Sequence, residues 1–564
     1  MDHHVPPSVP NDFESKLCVF PASLLCEHCH KIVSQHDDDS TNEDLNDRNL
    51  FSDLKQLDIL MAHLSIKRAD LNRKINRHHS PIIQKLPQDV LAVVFSFCLP
   101  DYTTPLSNFD RSAPLILGAV CKDWREIAWW SPRLWSAMVI NISASKTIFE
   151  SQMSLAREWL ARSGRLPLFI RIVWELYDHN FHSAFVLFSS VVNNEISRWH
   201  TFHLSIPPKL YHYFGGPNFS APILESLQFH SNEFQPHRTF KFHLRHCPRL
   251  REMDITNVSI HWIKVPMDRT TRICAKGLPT RECRGIIRRS PSLVHCALMD
   301  LEPNMPDGNP LSTDLKYLSV RVGSADGYAV FMGMTAPCLE TFTFEMDDSL
   351  SEISVGNTLR SFLIRSGCSL HTFSLIRAQF PLDLMMNLLE AMPTLKNLTV
   401  SSSTFLHADT GETEVMLKVL ARIIASQGTP TRQGFLVNLE TLTFSGYPNF
   451  RPKKMPHINP TGSWIPYYTP ERPLCSVTLE FYGFVEYLPP EAIPFLLALK
   501  EYGIALKVYG AGRILGDLLQ PSINFHKSAS QSKDWIENVD LSLLWDLKDD
   551  EQICMLDDRY MYDI

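Results

Sequence analysis

A six-residue phrase recurs along the middle of the chain and constrains its fold more than any other feature. The phrase is leucine, two variable residues, an apolar residue, one variable residue and a second apolar residue. This alternation is typical of a β-strand with one buried face. Regular repetition of one strand predicts stacked repeats that form a parallel sheet along a solenoid. The phrase begins at Leu224, Leu250, Leu293, Leu315, Leu339, Leu370, Leu395 and Leu439.

The intervals between these leucines indicate one strand and one return segment per repeat. Successive leucines lie 26, 43, 22, 24, 31, 25 and 44 residues apart, mostly near the leucine-rich-repeat range. The two long intervals could each hide a degenerate repeat, and RTTRICAKGLP, around Ile273, is a candidate in the first. The helical pattern VMLKVLARIIASQ fills part of the second. Because the asparagine that usually follows the strand is missing, we expect an irregular array.

Prolines and small polar residues complete the repeat pattern. Proline stands two residues before five of the eight leucines, which fits a strand entrance. The segment ALKEYGIALKVY, from Ala498, predicts a last helix followed by a last strand. The middle variable positions are predicted to face outward and to be available to a binding partner. Examples are Gln228, Asp254, Ser319, Thr343, Ser374, Thr399 and Thr443.

A tryptophan-rich helical segment precedes the repeats. Of the 11 tryptophans in the chain, four lie in VCKDWREIAWWSPRLW, from Val120 to Trp135. One amphipathic helix is predicted after Pro87 and ends at Pro100; a second begins near Ala113. Residues 82–136 are too few to build a normal core, so part of their apolar surface is expected to remain open. Such a surface predicts an association site.

A heptad-like helix is predicted still earlier, over residues 51–76. Leu54, Leu57, Met61, Leu64, Leu71 and Ile75 follow alternating steps of three and four, with Arg68 in the one interruption. This spacing fits a short coiled coil. It equally fits an amphipathic helix that folds against its own chain, and the sequence does not decide between them.

Charge and cysteine content exclude several classes of function. The chain has 54 basic and 61 acidic residues, a net charge of −7, which gives no basic footprint for nucleic acid or an anionic membrane. We expect no secretory signal, and the longest apolar run, VLAVVFSFCL, is about half the length of a membrane span. The 13 scattered cysteines predict reduced thiols, hence a cytoplasmic or nuclear location.

No recognisable catalytic frame is present, so we predict that the chain is not an enzyme. The P-loop lysine, the nucleophile elbow, HExxH and the kinase motifs are all missing from the sequence. CEHCHK, with Cys26 and Cys29, is only half of a zinc site, and a flexible segment with free thiols is the favoured interpretation. We therefore predict no cofactor and no metal.

The helical segment resembles an F-box. LPQDVLAVVFSFC, VCKDWREIA and SPRLW correspond in order to its leucine-proline, valine-cysteine-basic-x-tryptophan and proline-x-leucine-tryptophan elements. With the heptad helix and degenerate repeats, the chain resembles F-box proteins abundant in mushroom-forming fungi. The resemblance implies the substrate receptor of a Skp–cullin–F-box ubiquitin ligase, with the repeats holding an unknown client protein. The implied contacts with the Skp-type adaptor are Leu86, Pro87, Val90, Leu91, Phe95, Val120, Cys121, Trp124, Leu134 and Trp135.

The expected organisation is a small all-helical F-box followed by an irregular leucine-rich-repeat solenoid, a mixed α+β and α/β fold. We expect about half of the implied contacts to belong to the core of the box. A repeat scaffold whose F-box acts outside any ligase remains the alternative. The expected segments are a weakly structured 1–49, the heptad helix at 50–79, the F-box at 80–137, the solenoid at 138–515 and a tail at 516–564.

Overall fold

A computed structural model of the chain divides into two compact units. The first comprises Met1–Ile206 with Tyr213–Gly215 and Phe219–Leu224, and the second comprises Pro207–His212, Gly216–Asn218 and Glu225–Ile564. The residues that the structure describes are 44–79, 85–99, 113–142, 145–174, 182–231, 241–303, 308–323, 327–346, 352–378, 380–402, 412–427, 435–446, 473–481, 487–488, 490, 492–501, 503–510 and 517–529.

The first unit begins with helices. Helix α1 (Asp44–His79) contains the predicted heptad segment and extends beyond it. Helix α2 (Gln88–Ser96) follows Pro87, as predicted. The second predicted helix forms as two, α3 (Ala113–Val120) and α4 (Lys122–Trp130), and a 3-10 turn follows at Pro132–Trp135.

Cys121 divides α3 from α4. Its backbone is extended (φ −158°, ψ 173°), and its sulfur accepts a hydrogen bond from the Trp124 amide at 3.4 Å. This is the role of an N-cap side chain, which satisfies an amide donor at the start of a helix. At the other side of the break, the Arg125 Nε donates to the Gly118 carbonyl at 2.7 Å. The prediction of one continuous helix was wrong because cysteine is an uncommon cap.

Three parallel strands complete the first unit: β1 (Ala137–Asn141), β2 (Leu168–Val173) and β3 (Trp199–Ser205). Helix α5 (Lys146–Arg162) connects β1 to β2, and α6 (His182–Asn193) lies between β2 and β3. Alternate residues of β2 are buried, as expected for a sheet with one covered face. The strand β4 (Gly215–Ser220) contains residues of both units.

The second unit contains a long parallel sheet, and every copy of the phrase forms one of its strands. The candidate repeat around Ile273 is confirmed as a strand, and a further copy, LCSVTL at Leu474, supplies another. The last predicted strand also forms. In spatial order the strands are β5 (Ser226–His230), β7 (Glu252–Thr256), β9 (Arg272–Lys276), β10 (His295–Met299), β12 (Tyr317–Val322), β14 (Thr341–Met346), β15 (Thr372–Ile376), β16 (Asn397–Ser401), β17 (Thr441–Gly446), β18 (Ser476–Phe481) and β19 (Ala505–Gly510).

The prolines before the leucines occupy tight turns. At Ala221–Leu224, the leucine amide donates to the carbonyl three residues earlier at 3.3 Å, with Pro222 in between. Proline is favoured at this second position of a turn because its φ is already fixed there. The leucines that follow are buried and begin the core face of each strand. The same bond forms at Cys247–Leu250, Ser290–Leu293, Ala336–Leu339 and Met392–Leu395.

The return segments are irregular, as expected from the uneven intervals. Several are helical, and others contain short strands, β6 (Phe242–His246) with β8 (Ile263–Lys264) and β11 (Leu311–Ser312) with β13 (Met334–Thr335). The fold is therefore mixed α/β with a long parallel sheet. The helices are α7 (Thr280–Arg289), α8 (Glu352–Ser366), α9 (Leu382–Glu390), α10 (Glu412–Gln427), α11 (Ala492–Glu501) and α12 (Leu519–Ala529).

One charged side chain helps to hold successive returns together. Arg284 of α7 is 1% exposed. Its Nη1 donates to the carbonyls of Val330 (2.9 Å) and Met332 (2.7 Å), and its Nη2 donates to the carbonyl of Asn309 (2.5 Å). These three charge-assisted hydrogen bonds offset part of the cost of burying the guanidinium. Arg284 therefore joins α7 to the segments that flank β12.

Candidate functional site

The helical module, defined as α2, α3, α4 and the 3-10 turn, has a well-buried inner side. Leu91 and Phe95 of α2 are 1% and 2% exposed, and Leu134 and Trp135 are fully buried. The Phe95 and Trp124 rings lie 4.7 Å apart between centroids. The Trp135 indole also donates a hydrogen bond to the Ala128 carbonyl at 2.8 Å. These side chains form the core that holds the helices together.

The other side of α2 is apolar and open. Val90, Val93, Val94 and Phe97 are 39%, 47%, 44% and 83% exposed, and we call this set the apolar stripe. Their spacing of i, i+3, i+4 and i+7 places them on one helical face. A second protein that covered this face would remove apolar surface from water, which is the main favourable term in association. The apolar stripe is therefore a candidate docking surface.

The ends of α3 and α4 are also apolar and exposed. Val120 is 53% exposed, Trp129 45% and Trp130 85%. Trp130 lies at the last residue of α4, directly before the turn that carries the buried Trp135. Tryptophan is enriched among residues that dominate binding energy at interfaces. The sequence motif gave no position to Trp130, and its run of adjacent tryptophans was the only signal for it.

The module is fixed to β1 and α5 by an aromatic cluster. Trp135 packs edge-on against Trp159 of α5, with centroids 4.7 Å apart. The Arg162 guanidinium lies over the rings of Trp129 (4.4 Å) and Trp135 (4.7 Å). The Trp159 indole donates to the Ala137 carbonyl of β1 at 2.9 Å. The inner side of the module is therefore completed by the first strand and the helix after it.

The ten residues implied by the resemblance divide between the two sides of the module. Leu91, Phe95, Leu134 and Trp135 are buried and serve the core. Cys121 and Trp124 are half-buried, between the two classes. The exposed members are Leu86, Pro87, Val90 and Val120. Val93, Val94, Phe97 and Trp130 are exposed apolar neighbours that the motif did not include.

The outward face of the long sheet is a second candidate surface. Its middle row runs through Gln228, Asp254, Ser319 and Thr343, aligned directly across the strands with Cys274 and Ala297 between them. The predicted outward residues are all half-buried on this face, as residues between two neighbouring strands should be. The row continues through Ser374, Thr399, Thr443 and Thr478.

Charged residues of alternating sign follow one edge of this face; we call them the charge ladder. Asp300 lies 3.5 Å from Lys276 and 3.4 Å from Arg321. Glu345 lies 3.6 Å from Arg321 and 3.5 Å from Arg377, and its side chain is only 11% exposed. Each carboxylate is thus shared by two cations, which orders the long side chains at this edge.

The protein environment around β7 to β12 shifts the pKa values of several side chains. Burial raises the pKa of Asp254, against the opposing effects of the Thr256 hydroxyl, His230 and Lys276. Burial, with a smaller effect from Asp254, raises the pKa of Cys274 to about 12, so this thiol stays protonated. Burial and Arg272 lower the pKa of His295, whose ring stacks on Tyr317 at 4.2 Å. A protonated thiol is a poor nucleophile.

Hydroxyl groups replace charges further along the same face. The side-chain Nδ2 of Asn397 donates to the Thr372 hydroxyl at 3.2 Å, and the Thr441 hydroxyl donates to the side-chain Oδ1 of Asn397 at 2.7 Å. These bonds run across three adjacent strands, β15, β16 and β17. The side chains that bond across these three strands are therefore uncharged.

The described part of the chain offers no cluster of three or more metal-ligating side chains. The CxxC pair at Cys26 and Cys29 lies outside the described residues. None of the described helices has both the length and the apolar content needed to cross a bilayer. A scan against protein-family models found no match, and a search of curated proteins found no similar sequence.

Proposed function

We propose that the protein is the substrate-recognition subunit of a Skp–cullin–F-box ubiquitin ligase. In this proposal the helical module is the F-box and docks on a Skp-type adaptor. The second unit is an irregular leucine-rich-repeat solenoid that holds a client protein on its outward face. The observation that carries the proposal is the apolar stripe: one face of α2 holds the module together, and the opposite face is left open.

The energetics favour a protein partner for the apolar stripe. Burying a valine or phenylalanine side chain fully contributes roughly 1.5–3 kcal/mol. The three stripe valines are close to half exposed, so a partner would gain about half of that range from each, and more from Phe97. The stripe itself contains no charged residue, so docking on it takes no charge of the stripe out of water.

The proposed mechanism assigns no bond-making step to this chain. Its contribution is proximity, because a client held on the sheet meets the ligase's ubiquitin-loaded enzyme at a high effective concentration. Within the first unit, the contacts of Trp135 with Trp159 and Arg162 fix the module to α5.

The alternative is a repeat scaffold whose helical module binds a partner outside any ligase. It uses the same two surfaces and differs only in what the module recruits. Purification of the full-length chain with a Skp-type adaptor and a cullin distinguishes the two. The ligase proposal expects both proteins to be recovered. Recovery of the adaptor without a cullin would favour the scaffold.

The direct test is a double variant of the apolar stripe, Val94→Ala with Phe97→Ala. We expect adaptor affinity to fall at least tenfold while thermal unfolding is unchanged, because both side chains are exposed in the free chain. Ile353→Ala with Ile364→Ala is a matched control, since these α8 residues are 63% and 54% exposed but lie outside the module. A stripe variant that binds the adaptor as tightly as the wild type contradicts the proposal.

A further inference from the structure

The seam of helix α1 is exposed along its described length. Leu54, Leu57, Met61 and Leu64 are 55%, 54%, 61% and 56% exposed, and Leu71 and Ile75 each 53%. No described residue of the chain covers these side chains. An exposed leucine row of this length is unusual on a monomer, because large apolar patches normally mark an interface. The described structure therefore shows a seam without an intramolecular partner.

The spacing of the seam selects the kind of partner. Steps of three and four average 3.5 residues, which keeps one face of a helix directed at a second, similar helix over several turns. From Leu54 to Ile75 the seam covers three heptads, about 33 Å at 1.5 Å per residue. A helix with an equally long seam, present at the same concentration, is α1 of another copy of this chain.

The charges of the segment select the direction of that second helix. The sequence from 44 to 60 holds four aspartates against Arg48 and Lys55, a formal charge of −2. The sequence from 61 to 79 holds three arginines and two lysines against one aspartate, so the second half is strongly basic. A parallel pair would place two basic halves together, whereas an antiparallel pair places each basic half beside an acidic one.

The net charge of the second half, five basic residues against Asp70, is thus +4. Arg68 sharpens the choice, because it occupies the seam itself and its side chain is exposed. In a parallel pair aligned in register, Arg68 would face Arg68 of the second copy. In the antiparallel pair it faces Leu57, whose neighbour in the sequence is Asp58. That register also sets Leu54 opposite Leu71 and Met61 opposite Leu64.

We propose that the chain forms a homodimer through an antiparallel pairing of α1 with α1 of a second copy. The dimer buries both seams and places the acidic and basic halves side by side. The inference is independent of the proposed ligase role, because it uses no residue of the helical module or of the sheet. If that role also holds, one dimer presents two adaptor-docking surfaces.

The first test is the mass of the full-length chain in solution, measured by light scattering and sedimentation at micromolar concentration. The wild type is expected to be a dimer, and Leu57→Asp with Leu64→Asp to raise the dimer Kd at least tenfold. Ile59→Asp with Ile66→Asp is the matched control, since these residues are 61% and 64% exposed on the same helix but lie off the seam. A monomeric wild type, or equal weakening by both variants, overturns the proposal.

The second test concerns direction. Leu54→Cys and Leu71→Cys chains are mixed, oxidised and mapped by mass spectrometry, with the wild type as control for the native cysteines. The antiparallel dimer is expected to give the mixed 54–71 crosslink, and a predominance of 54–54 and 71–71 crosslinks overturns it. Added salt is expected to weaken the dimer, because screening removes attraction between the opposite halves. Salt that strengthens the dimer contradicts the antiparallel arrangement.

Discussion

Replacing Arg284 by methionine tests whether a buried cation, rather than apolar packing alone, joins α7 to the following returns. Methionine keeps much of the apolar stem and removes the three hydrogen bonds to the carbonyls of Asn309, Val330 and Met332. A hydrogen bond to a charged group contributes about 1.5–3 kcal/mol, so the gross loss is roughly 4.5–9 kcal/mol. Removing the guanidinium also removes its desolvation cost of several kcal/mol. We expect a net loss of about 2–4 kcal/mol.

The loss of stability is expected to be confined to the return segments that Arg284 joins, so the assay has to report on those segments. A repeat array does not unfold in one cooperative step, and a single global free energy of unfolding would blur the effect. Hydrogen exchange followed by mass spectrometry reports the segment itself. Because about 1.4 kcal/mol corresponds to a factor of ten, amides of residues 327–335 are expected to exchange about 30- to 700-fold faster in the variant.

Arg281→Met is the matched control, because Arg281 lies one turn earlier on α7 and is exposed. Its exchange at 327–335 should equal that of the wild type. If Arg284→Met changes the exchange of these amides by less than about twofold, the three hydrogen bonds do not hold the returns together, and the reasoning from buried donors fails.

Three further predictions follow from the described geometry. Leu91→Ala should lower the stability of the first unit by about 2–5 kcal/mol, whereas Val94→Ala should change it by less than about 0.5 kcal/mol, as measured by thermal unfolding. Asp254→Asn should stabilise the second unit at pH 7, as measured by urea titration. The pKa of Asp254 is raised in the folded state, so folding favours the protonated carboxyl. The stability contributed by that protonated form is complete below the usual carboxyl pKa and is lost as the pH rises through the folded pKa. The advantage of the variant should therefore shrink as the pH falls towards 3; an advantage that grows on acidification contradicts the sign. Gly277→Ala should destabilise the β9 turn by about 1–3 kcal/mol, because Gly277 has φ +64° and a Cβ there would collide with the Asn257 side chain; unchanged unfolding would refute this.

The strands of the second unit could be predicted because their pattern is local. A leucine after a turn, followed by alternating apolar residues, carries enough information to place a strand. The copy at Leu474 was missed although its pattern is the same as that of the other copies. In β3 the phrase is present with Trp199 in place of leucine. Trp199 is fully buried and stacks on Phe202 at 3.8 Å.

The candidate docking surface could be predicted only in part. Helical periodicity identified the apolar residues of α2, but it could not say which of them would be covered. Phe95 is covered by Trp124 of the module itself, whereas Trp135 is covered by Trp159 and Arg162, which lie beyond the module in the sequence. The charge ladder was also missed, because its members come from separate strands and meet only when the strands align in register.

The contacts between Trp135, Trp159 and Arg162 determine where this protein can be truncated or fused to another domain. A fragment that ends at Ser136 would expose the Trp135 indole, which is buried in the intact chain. Such a fragment is expected to aggregate and to be degraded quickly. Transferring the helical module to a different protein would require carrying β1 and α5 with it. The smallest fragment that keeps Trp135 covered therefore ends after Arg162, well beyond the last residue of the sequence motif.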